Sequence, residues 1–241
     1  MSRRLSPRLR VVSLLLPLAV VLALAACGGD DDQAEATVDT ATTAVETVTT
    51  AVETSGADGE CQDVEAPEPK ADGGQQPPKE ALDPAKTYRL VVDTTCGSFT
   101  IELDQKTAPK TAASLVSLAD SGFYDGTTFH RVVPGFVIQG GDPTATGAGG
   151  PGYKTVDVPP SDAAYTKGVV AMAKGGTEAP GTSGSQFFVV TGPDVGLPPE
   201  YAVVGKVTEG IETVDAIDAL GVGDGPPSKP VVIEHMTVQA P

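Results

Sequence analysis

Two short apolar runs around a turn decide how this chain folds, and together they read FHRVVPGFVIQGGD from Phe129 to Asp142. The residues on either side of Pro134-Gly135 are mostly β-branched or aromatic, which is typical of strands that face a core. We therefore predict strands at Thr128–Val133 and Gly135–Gln139. The glycines and prolines that follow, as far as Pro160, predict a long loop.

Short strands and two helices account for most of the chain on either side of this stretch. Tyr88–Asp93 and Ser98–Leu103 form a predicted hairpin around a turn at Thr95–Gly97. We predict one helix from Lys110 to Asp120, opened by the preceding proline, and a second over Gly210–Ala219. Eight or so short strands with two helices indicate one closed or nearly closed β-barrel. The remaining predicted strands are Val169–Ala173, Phe187–Val190, Ala202–Val207 and Val231–Val238.

Composition and charge exclude several classes of protein. The 241 residues carry 16 basic and 32 acidic side chains, a formal net charge of −16, whereas nucleic-acid binding needs clustered Lys and Arg. The two His and three Cys form neither a C-x-x-C nor an H-E-x-x-H pattern, which argues against a zinc site. No glycine loop has the spacing and the strand-to-helix setting of a nucleotide site. We therefore expect no nucleic-acid partner, no metal and no cofactor.

The first 26 residues have the layout of an export signal. Residues 1–10 hold four Arg and no acid, and an apolar run from Val11 to Ala26 follows that is short for a bilayer span. The run ends in Leu24-Ala25-Ala26-Cys27, which resembles the bacterial lipobox, with Cys27 as the lipidated residue. Acyl chains on Cys27 would hold the protein at the outer face of the cytoplasmic membrane. An uncleaved anchor, or a plain signal with an incidental cysteine, is the alternative.

Residues 27–80 are predicted to be an acidic, disordered tether that begins with the lipidated cysteine. They hold 14 acidic and two basic residues, and large apolar side chains are almost missing, so little burial offsets the entropy of ordering. Repulsion between like charges should extend such a segment. It would lift the folded domain, residues 81–241, away from the membrane. An inert spacer with no sequence requirement is the other description.

The two remaining cysteines are candidates for a disulfide. Cys61 lies near the end of the tether, and Cys96 lies in the turn of the first hairpin. Exported proteins form disulfides because their surroundings are oxidising. A bond between Cys61 and Cys96 would pin the end of the tether to that hairpin, although the sequence equally permits two free thiols.

Three blocks of sequence, in this order, resemble the signatures of the cyclophilin family of peptidyl-prolyl cis–trans isomerases. The first is residues 129–142, the second runs from Ala171 to Phe188 with AMAK and SGSQFF at its ends, and the third is YAVVGKV at Tyr201–Val207. The resemblance covers about residues 86–239 and implies a mainly β fold, a closed eight-stranded antiparallel cyclophilin-like β-barrel with two flanking α-helices. It also implies that residues 81–241 accelerate the rotation of X–Pro bonds in exported proteins and so assist their folding.

The resemblance further implies roles for particular residues. Arg131 would be the catalytic donor, and Gln139 would hydrogen-bond the substrate backbone and help to place Arg131. The main chain at Ala173 and Lys174 would pair with the residues before proline. His130 belongs to the same motif and is counted with the substrate-binding residues, as a hydrogen-bonding side chain rather than an acid–base catalyst. The proline pocket would consist of Phe136, Phe188, Leu197 and Tyr201, with Met172 behind it and Gln186 beside the groove.

Three positions depart from the usual pattern of the family. Tyr201 stands where many members have His, and its phenol still offers an apolar face and a donor. Lys174 replaces a common Asn, which is harmless if only the backbone binds substrate. Gly196 stands where Trp is frequent.

Rotation about an X–Pro bond breaks no covalent bond, so it needs neither a nucleophile nor a metal. An apolar pocket for the pyrrolidine ring and a fixed cationic donor suffice in principle to lower a barrier of about 18–20 kcal/mol.

We expect a monomer whose partners are proline-containing polypeptides and, through its N-terminal lipid, the membrane. Three alternatives stay open: a peptide-binding module with poor activity, a structural surface lipoprotein, and a purely structural ion pair for Arg131.

Overall fold

A computed structural model describes residues 60–240 of the protein. The predicted signal, Cys27 and the predicted tether as far as residue 59 lie outside the described residues. Within residues 60–240, no helix is long and apolar enough to cross a membrane.

The elements of this part of the chain are β1 (Arg89–Thr94), β2 (Gly97–Leu103), α1 (Pro109–Asp120), β3 (Thr127–Thr128), β4 (Arg131–Val133), β5 (Val137–Gly140), β6 (Thr155–Val156), β7 (Val169–Met172), β8 (Thr182–Ser183), β9 (Phe187–Val190), β10 (Val203–Glu209), α2 (Ile211–Asp218) and β11 (Val232–Gln239).

Nine strands form one antiparallel sheet in the order β3-β11-β1-β2-β10-β7-β9-β5-β4, and β6 pairs with β8 separately. Alternation of buried residues explains how the strands face the core. In β1, Leu90, Val92 and Thr94 are buried while their neighbours are half-buried, as in a strand with one face on a core. Val92 stands opposite Phe99 of β2 and Met236 of β11, so three adjacent strands supply one buried row.

The large sheet is strongly curled into a half-barrel. An isolated bridge pairs Thr128 of β3 with Asp142, which lies just beyond β5. The predicted closed barrel of eight strands is not confirmed, since the described residues give a curled sheet of nine. One reason is that the run predicted as a single strand over Thr128–Val133 is divided. Its first part, β3, pairs with β11, whereas its second part, β4, pairs with β5.

Both predicted helices are confirmed. The first, α1, begins at Pro109 and buries Ala112, Leu115 and Ala119 against the side of the sheet that includes β11. The second, α2, packs on β2 and follows Gly210, whose φ is +73°. A Cβ at Gly210 would collide with the backbone of β2, so the turn into this helix requires glycine both for its conformation and for the close approach.

The interior contains two apolar clusters. The larger draws on both helices and most strands, and the rings of Phe99, Phe129, Phe187 and Tyr124 pack within it at centroid distances of 6.0 to 6.4 Å. Burial of each such ring stabilises the fold by about 1.5–3 kcal/mol. The smaller cluster lies beneath the half-buried aromatic and aliphatic side chains of a surface cavity, and it comprises Val137, Tyr165, Ala171, Phe188 and Val190.

Residues 61–75, which their composition assigns to the tether, lie extended against the folded domain, and we call them the strap. The backbone N–H of Gln62 donates to the carbonyl of Thr95 at 2.7 Å, and that of Lys70 donates to the carbonyl of Pro143 at 2.7 Å. The Lys70 ammonium also donates to the carbonyl of Phe123 at 2.9 Å. The strap is therefore ordered, whereas its composition predicts disorder. Hydrogen bonds to loop backbones hold it in place, and such bonds cannot be predicted from the low hydrophobicity of the segment.

A covalent bond fixes the beginning of the strap. Cys61 and Cys96 are disulfide-bonded in the structure and both are buried. The ammonium of Lys229 donates to the carbonyl of Cys61. The strap is thus joined to the turn between β1 and β2, as in the first of the two alternatives that the sequence permits for Cys61 and Cys96.

We expect the double substitution Cys61→Ser/Cys96→Ser to destabilise the domain. The bond links residues separated by 35 positions, and its removal releases chain entropy in the unfolded state equivalent to about 3–4 kcal/mol. Urea unfolding followed by circular dichroism would measure the free energy of unfolding, with Cys27→Ser as the control. An unchanged free energy of unfolding, or two titratable thiols at Cys61 and Cys96 in the unreduced unfolded protein, would contradict this expectation.

Candidate active site

A cavity of about 290 Å³ opens beside the smaller apolar cluster. Strand register builds it, because Arg131 of β4 stands opposite Gln139 of β5, and Gln139 stands opposite Phe188 of β9. Phe188 in turn stands opposite Ala171 of β7. One row across four strands thereby presents a cation, an amide and an aromatic ring in sequence. The complete lining is Arg131, Phe136, Val137, Gln139, Ala173, Lys174, Phe188, Leu197 and Tyr201.

Aromatic packing shapes the apolar wall of the cavity. The rings of Phe188 and Tyr201 meet edge to face, with centroids 5.6 Å apart and an interplanar angle of 82°. Tyr165 supports both rings from beneath, and its hydroxyl donates to the carbonyl of Tyr201 at 2.7 Å. Burial raises the pKa of Tyr165, so this hydroxyl stays a neutral donor. The wall is a rigid apolar surface of the size that a small ring requires.

Arg131 lies at the edge of the cavity in a fixed orientation. Its Nε and Nη2 donate to the two carboxylate oxygens of Asp224 at 2.6 and 3.1 Å, and its Nη1 donates to Oε1 of Gln139 at 3.3 Å. Its guanidinium carbon lies 5.9 Å from the centre of the Phe136 ring. The hydrogen bonds from Arg131 lower the pKa of Asp224, so they favour the ionised form of this carboxyl. Bidentate pairing of this kind holds a guanidinium in one plane.

A chain of side-chain amides continues from Arg131 to a neighbouring cavity of about 250 Å³. The amide nitrogen of Gln139 donates to Oε1 of Gln186 at 3.1 Å, and the amide nitrogen of Gln186 donates to the carbonyl of Gly149 at 2.9 Å. These bonds fix which end of each amide faces its neighbour. The orientation of Gln139, and through it that of Arg131, therefore depends on where the backbone at Gly149 lies.

Lys174 places a second cation beside the cavity, and its side chain is only 4% exposed. The ammonium lies 3.0 Å from a carboxylate oxygen of Glu200 and 5.5 Å from the centre of the Tyr201 ring. It also donates to the carbonyl of Glu178 at 3.2 Å. From the sequence, Lys174 is expected to be harmless if only its backbone binds substrate. The structure adds that its side chain contacts Glu178, Glu200 and the ring of Tyr201.

Most residues that the sequence predicts for the site come together here. Gln186 lies next to them, in the lining of the neighbouring cavity. Met172 is fully buried in the larger core cluster and does not line either cavity. The alternation of β7 explains this placement, since side chains of adjacent residues point to opposite faces of a strand. The residues that line the cavity as predicted are Arg131, Phe136, Gln139, Ala173, Lys174, Phe188, Leu197 and Tyr201.

His130 does not line the cavity either. Adjacent to Arg131 in the chain, it contributes to a separate apolar hollow that also includes Ala66 and Val231. Both ring nitrogens are buried and lack a hydrogen-bond partner within residues 60–240, and burial lowers the pKa of His130. His130 is thus outside the linings of both the candidate cavity and its neighbour.

Two lining or positioning residues escape the sequence analysis. Val137 lines the cavity, and it lies two residues before Gln139 on the same strand, so strand alternation could have found it. Asp224 lies 93 residues from Arg131 in the chain, in a Gly- and Pro-rich loop without a strand or helix pattern. No sequence signal connects these two residues.

Comparison with known proteins identifies the class of enzyme. The family model described as "Cyclophilin type peptidyl-prolyl cis-trans isomerase/CLD" matches residues 89–238. The chain therefore belongs to the cyclophilin-type peptidyl-prolyl cis–trans isomerases and is an enzyme of that class. All four strands of the Arg131–Ala171 row fall within the matched residues.

Individual relatives agree with the family. A protein of Mycobacterium tuberculosis (strain H37Rv), "Peptidyl-prolyl cis-trans isomerase A", is 41% identical over 174 residues, with coverage of 64% of this chain and 94% of the relative. "Peptidyl-prolyl cis-trans isomerase-like 1" of Neurospora crassa is 43% identical over 129 residues, covering 52% of this chain and 77% of the relative.

A crystal structure of a cyclophilin-type peptidyl-prolyl cis–trans isomerase of Cryptosporidium parvum superposes with a TM-score of 0.58 at 31% identity. The superposed region covers 64% of the present chain and 98% of the C. parvum chain. A structure of a C. parvum protein with the same description, in the presence of the dipeptide Ala-Pro, gives a TM-score of 0.57 at 31% identity, and covers 63% of this chain and 98% of that chain.

We expect Lys174→Met to weaken binding of an X–Pro peptide. The change leaves Glu200 without its partner and removes the ammonium from the Tyr201 ring, so the wall of the cavity loosens. A loss of about 1 kcal/mol in substrate binding corresponds to a rise in KM of about fivefold, with kcat nearly unchanged. Steady-state kinetics on a tetrapeptide would measure both constants.

Lys167→Met is the matched control, because Lys167 forms a surface ion pair with Asp215 outside both cavities. Equal KM values for Lys174→Met and the wild type would show that only the backbone at this position matters.

Proposed function

We propose that the protein is a lipid-anchored isomerase that rotates X–Pro bonds of exported polypeptides, with Arg131 as its catalytic residue. The observation that carries this proposal is the position of the Arg131 guanidinium. It lies at the edge of an apolar cavity and is held there by Asp224 and Gln139. Membership of the family gives the reaction, and the contacts of Arg131 support the role that we propose for it.

The apolar wall supports binding of the proline ring. We place the pyrrolidine among Phe136, Phe188, Leu197 and Tyr201, where it displaces water. A planar X–Pro amide is stabilised by resonance, which gives its C–N bond partial double-bond character. A twisted amide has lost this resonance and much of its dipole, so a surface that excludes water disfavours the planar form relative to the twisted one.

The guanidinium supports the second half of the mechanism. Three of the five N–H groups of Arg131 are engaged by Asp224 and Gln139, and a guanidinium has five in all, so two remain for a substrate. As the amide twists, the proline nitrogen becomes pyramidal and its lone pair localises. A fixed N–H donor stabilises this charge without needing to reorient. No bond to the enzyme forms and no proton is transferred.

The edge of the cavity supports binding of the residues before proline. The N–H of Ala173 donates to the carbonyl of Gln186 at 2.9 Å, which fixes the chain segment that follows β7. We propose that the main chain at Ala173 and Lys174 pairs with the substrate backbone there. The amide of Gln139 lies between this edge and Arg131, so it can contact both.

We expect Arg131→Ala to lower kcat/KM for an X–Pro peptide by about 100- to 1,000-fold, the usual effect of removing one positioned donor. A protease-coupled assay or NMR exchange spectroscopy would measure this, and circular dichroism would verify the fold. Arg89→Ala is the matched control, because Arg89 also pairs with a carboxylate, that of Glu102, but on a strand away from the cavity. Wild-type kcat/KM in Arg131→Ala would refute the assigned role.

The N-terminal sequence supports the place of action. An arginine-rich segment, an apolar run and Leu24-Ala25-Ala26-Cys27 together favour export and lipidation at Cys27. The Cys61–Cys96 disulfide is consistent with an oxidising compartment. We propose that the enzyme is held at the extracytoplasmic face of the bacterial cell membrane, where exported chains fold.

We expect a fatty-acid analogue fed to producing cells to label the wild-type protein and not Cys27→Ser. Each buried methylene contributes about 0.8 kcal/mol to membrane affinity, so the wild type should also sediment with membranes. The double variant Cys61→Ser/Cys96→Ser is the control, since it keeps Cys27 and should be labelled normally. Equal labelling of Cys27→Ser and wild type would contradict lipidation at this residue.

A further inference from the structure

The strap contacts both ends of one particular loop of the domain. We call residues 142–152 the groove loop, because Gly147, Ala148 and Gly149 line the cavity next to the proposed proline pocket. Asp72 of the strap accepts a hydrogen bond from the N–H of Gly150 at 2.8 Å through Oδ1. The N–H of Gly73 donates to the carbonyl of Gly150 at 2.9 Å. Gly150 is therefore held through both of its backbone polar groups.

Two more contacts extend this pairing on either side. At one end the N–H of Lys70 donates to the carbonyl of Pro143, and at the other the N–H of Gln75 donates to the carbonyl of Pro151 at 3.0 Å. The two backbones approach closely, since a Cβ on Gly152 would lie 3.1 Å from the Cα of Gly73. The strap thus satisfies backbone groups at both ends of the groove loop that a loop otherwise leaves to water.

The opposite side of the groove loop touches the amide chain of the site. The carbonyl of Gly149, adjacent to Gly150, accepts the hydrogen bond from Gln186. From inside the domain, Asp142 accepts from the N–H groups of Gly147 and Gly149 at 2.6 and 3.1 Å. Although burial opposes it, hydrogen bonds from Thr144, Gly149 and Gly147 lower the pKa of Asp142. Gly149 and Gly150 are consequently fixed between a carboxylate of the domain and a carboxylate of the strap.

A continuous set of hydrogen bonds therefore leads from the strap to the guanidinium. It begins at Asp72, crosses the peptide unit between Gly149 and Gly150, and reaches Gln186. From Gln186 it passes through Gln139 to Arg131. Each amide in the set has one orientation that satisfies both of its neighbours, so a shift of the Gly149 carbonyl reorients the amides in turn.

We infer that the strap is a working part of the catalytic domain and that Asp72 is a positioning residue for Arg131. The inference rests on the proposed function, because it concerns the residue to which that function assigns catalysis. The strap lies before residue 89, where the family match begins, so it is outside the part of the chain that the family model describes. The strap sets the position of the Gly149 carbonyl, and the disulfide at Cys61 keeps the strap in place.

The test compares three single substitutions in the full-length chain. Asp72→Ala removes the acceptor for Gly150, Asp72→Asn keeps an acceptor oxygen at the same position, and Glu68→Ala removes an equal charge from an exposed strap residue. NMR would record the Nε–H resonance of Arg131 and the side-chain amide resonances of Gln139 and Gln186. Thermal melting and kcat/KM on an X–Pro peptide would be measured on the same samples.

We expect Asp72→Ala to shift these three side-chain resonances, to speed their exchange with water and to lower kcat/KM by about threefold to tenfold, the equivalent of one hydrogen bond. The loss should appear in kcat more than in KM, and the melting temperature should change little because Asp72 is exposed. Asp72→Asn should restore the wild-type resonances and activity, and Glu68→Ala should keep both.

Wild-type resonances and wild-type kcat/KM in Asp72→Ala would overturn the inference, as would a lower melting temperature without either change. Equal losses in Asp72→Ala and Glu68→Ala would overturn it too, because they would point to net charge rather than to the hydrogen bond. The outcome is separate from that of the proposed function. If Arg131→Ala kept its activity, the catalytic role would fail, while the resonances in Asp72→Ala would still show whether the strap orients the guanidinium.

Discussion

Antiparallel pairing among β4, β5, β9 and β7 is the constraint on which the site depends. It aligns Arg131, Gln139, Phe188 and Ala171 in one row across the sheet. Side chains alternate between the two faces of a strand, so a slip of one residue in any pair would turn a member of this row to the opposite face. Backbone hydrogen bonds thus fix the order of cation, amide and ring, and the side-chain contacts refine it.

The ion pairs at the site fix the orientation of side chains and contribute little net attraction. Arg131 is 30% exposed and its partner Asp224 is 66% exposed, so water screens the attraction between them. The bidentate geometry nevertheless holds the guanidinium plane. An ion pair and a place at the cavity, which the sequence analysis sets against each other for Arg131, are therefore compatible. Lys174, the other cation, is neutralised by Glu200 and serves as part of the wall.

Sequence patterns predict the parts of this fold that depend on periodicity. The spacing of apolar residues predicts both helices and most strands. The family motifs contain most of the residues that line the cavity. Strand alternation in β7 places Met172 on the face opposite to Ala171 and Ala173, so this side chain lies in the larger core cluster and not in the lining of the cavity. Asp224 and the strap differ in kind. Asp224 and the strap act through hydrogen bonds to residues that are far away in the chain. Such contacts cannot be predicted from the spacing of apolar residues.

The location of the disulfide has a mechanical consequence when the chain is pulled from its N-terminal side. Residue 60 is followed at once by Cys61, which is bonded to the turn between β1 and β2. A pull on the backbone at residue 60 therefore reaches the β1–β2 hairpin directly through the disulfide, without first passing along residues 62–75. This covalent path runs parallel to the hydrogen bonds between the strap and the groove loop, so the disulfide shares any such load with them.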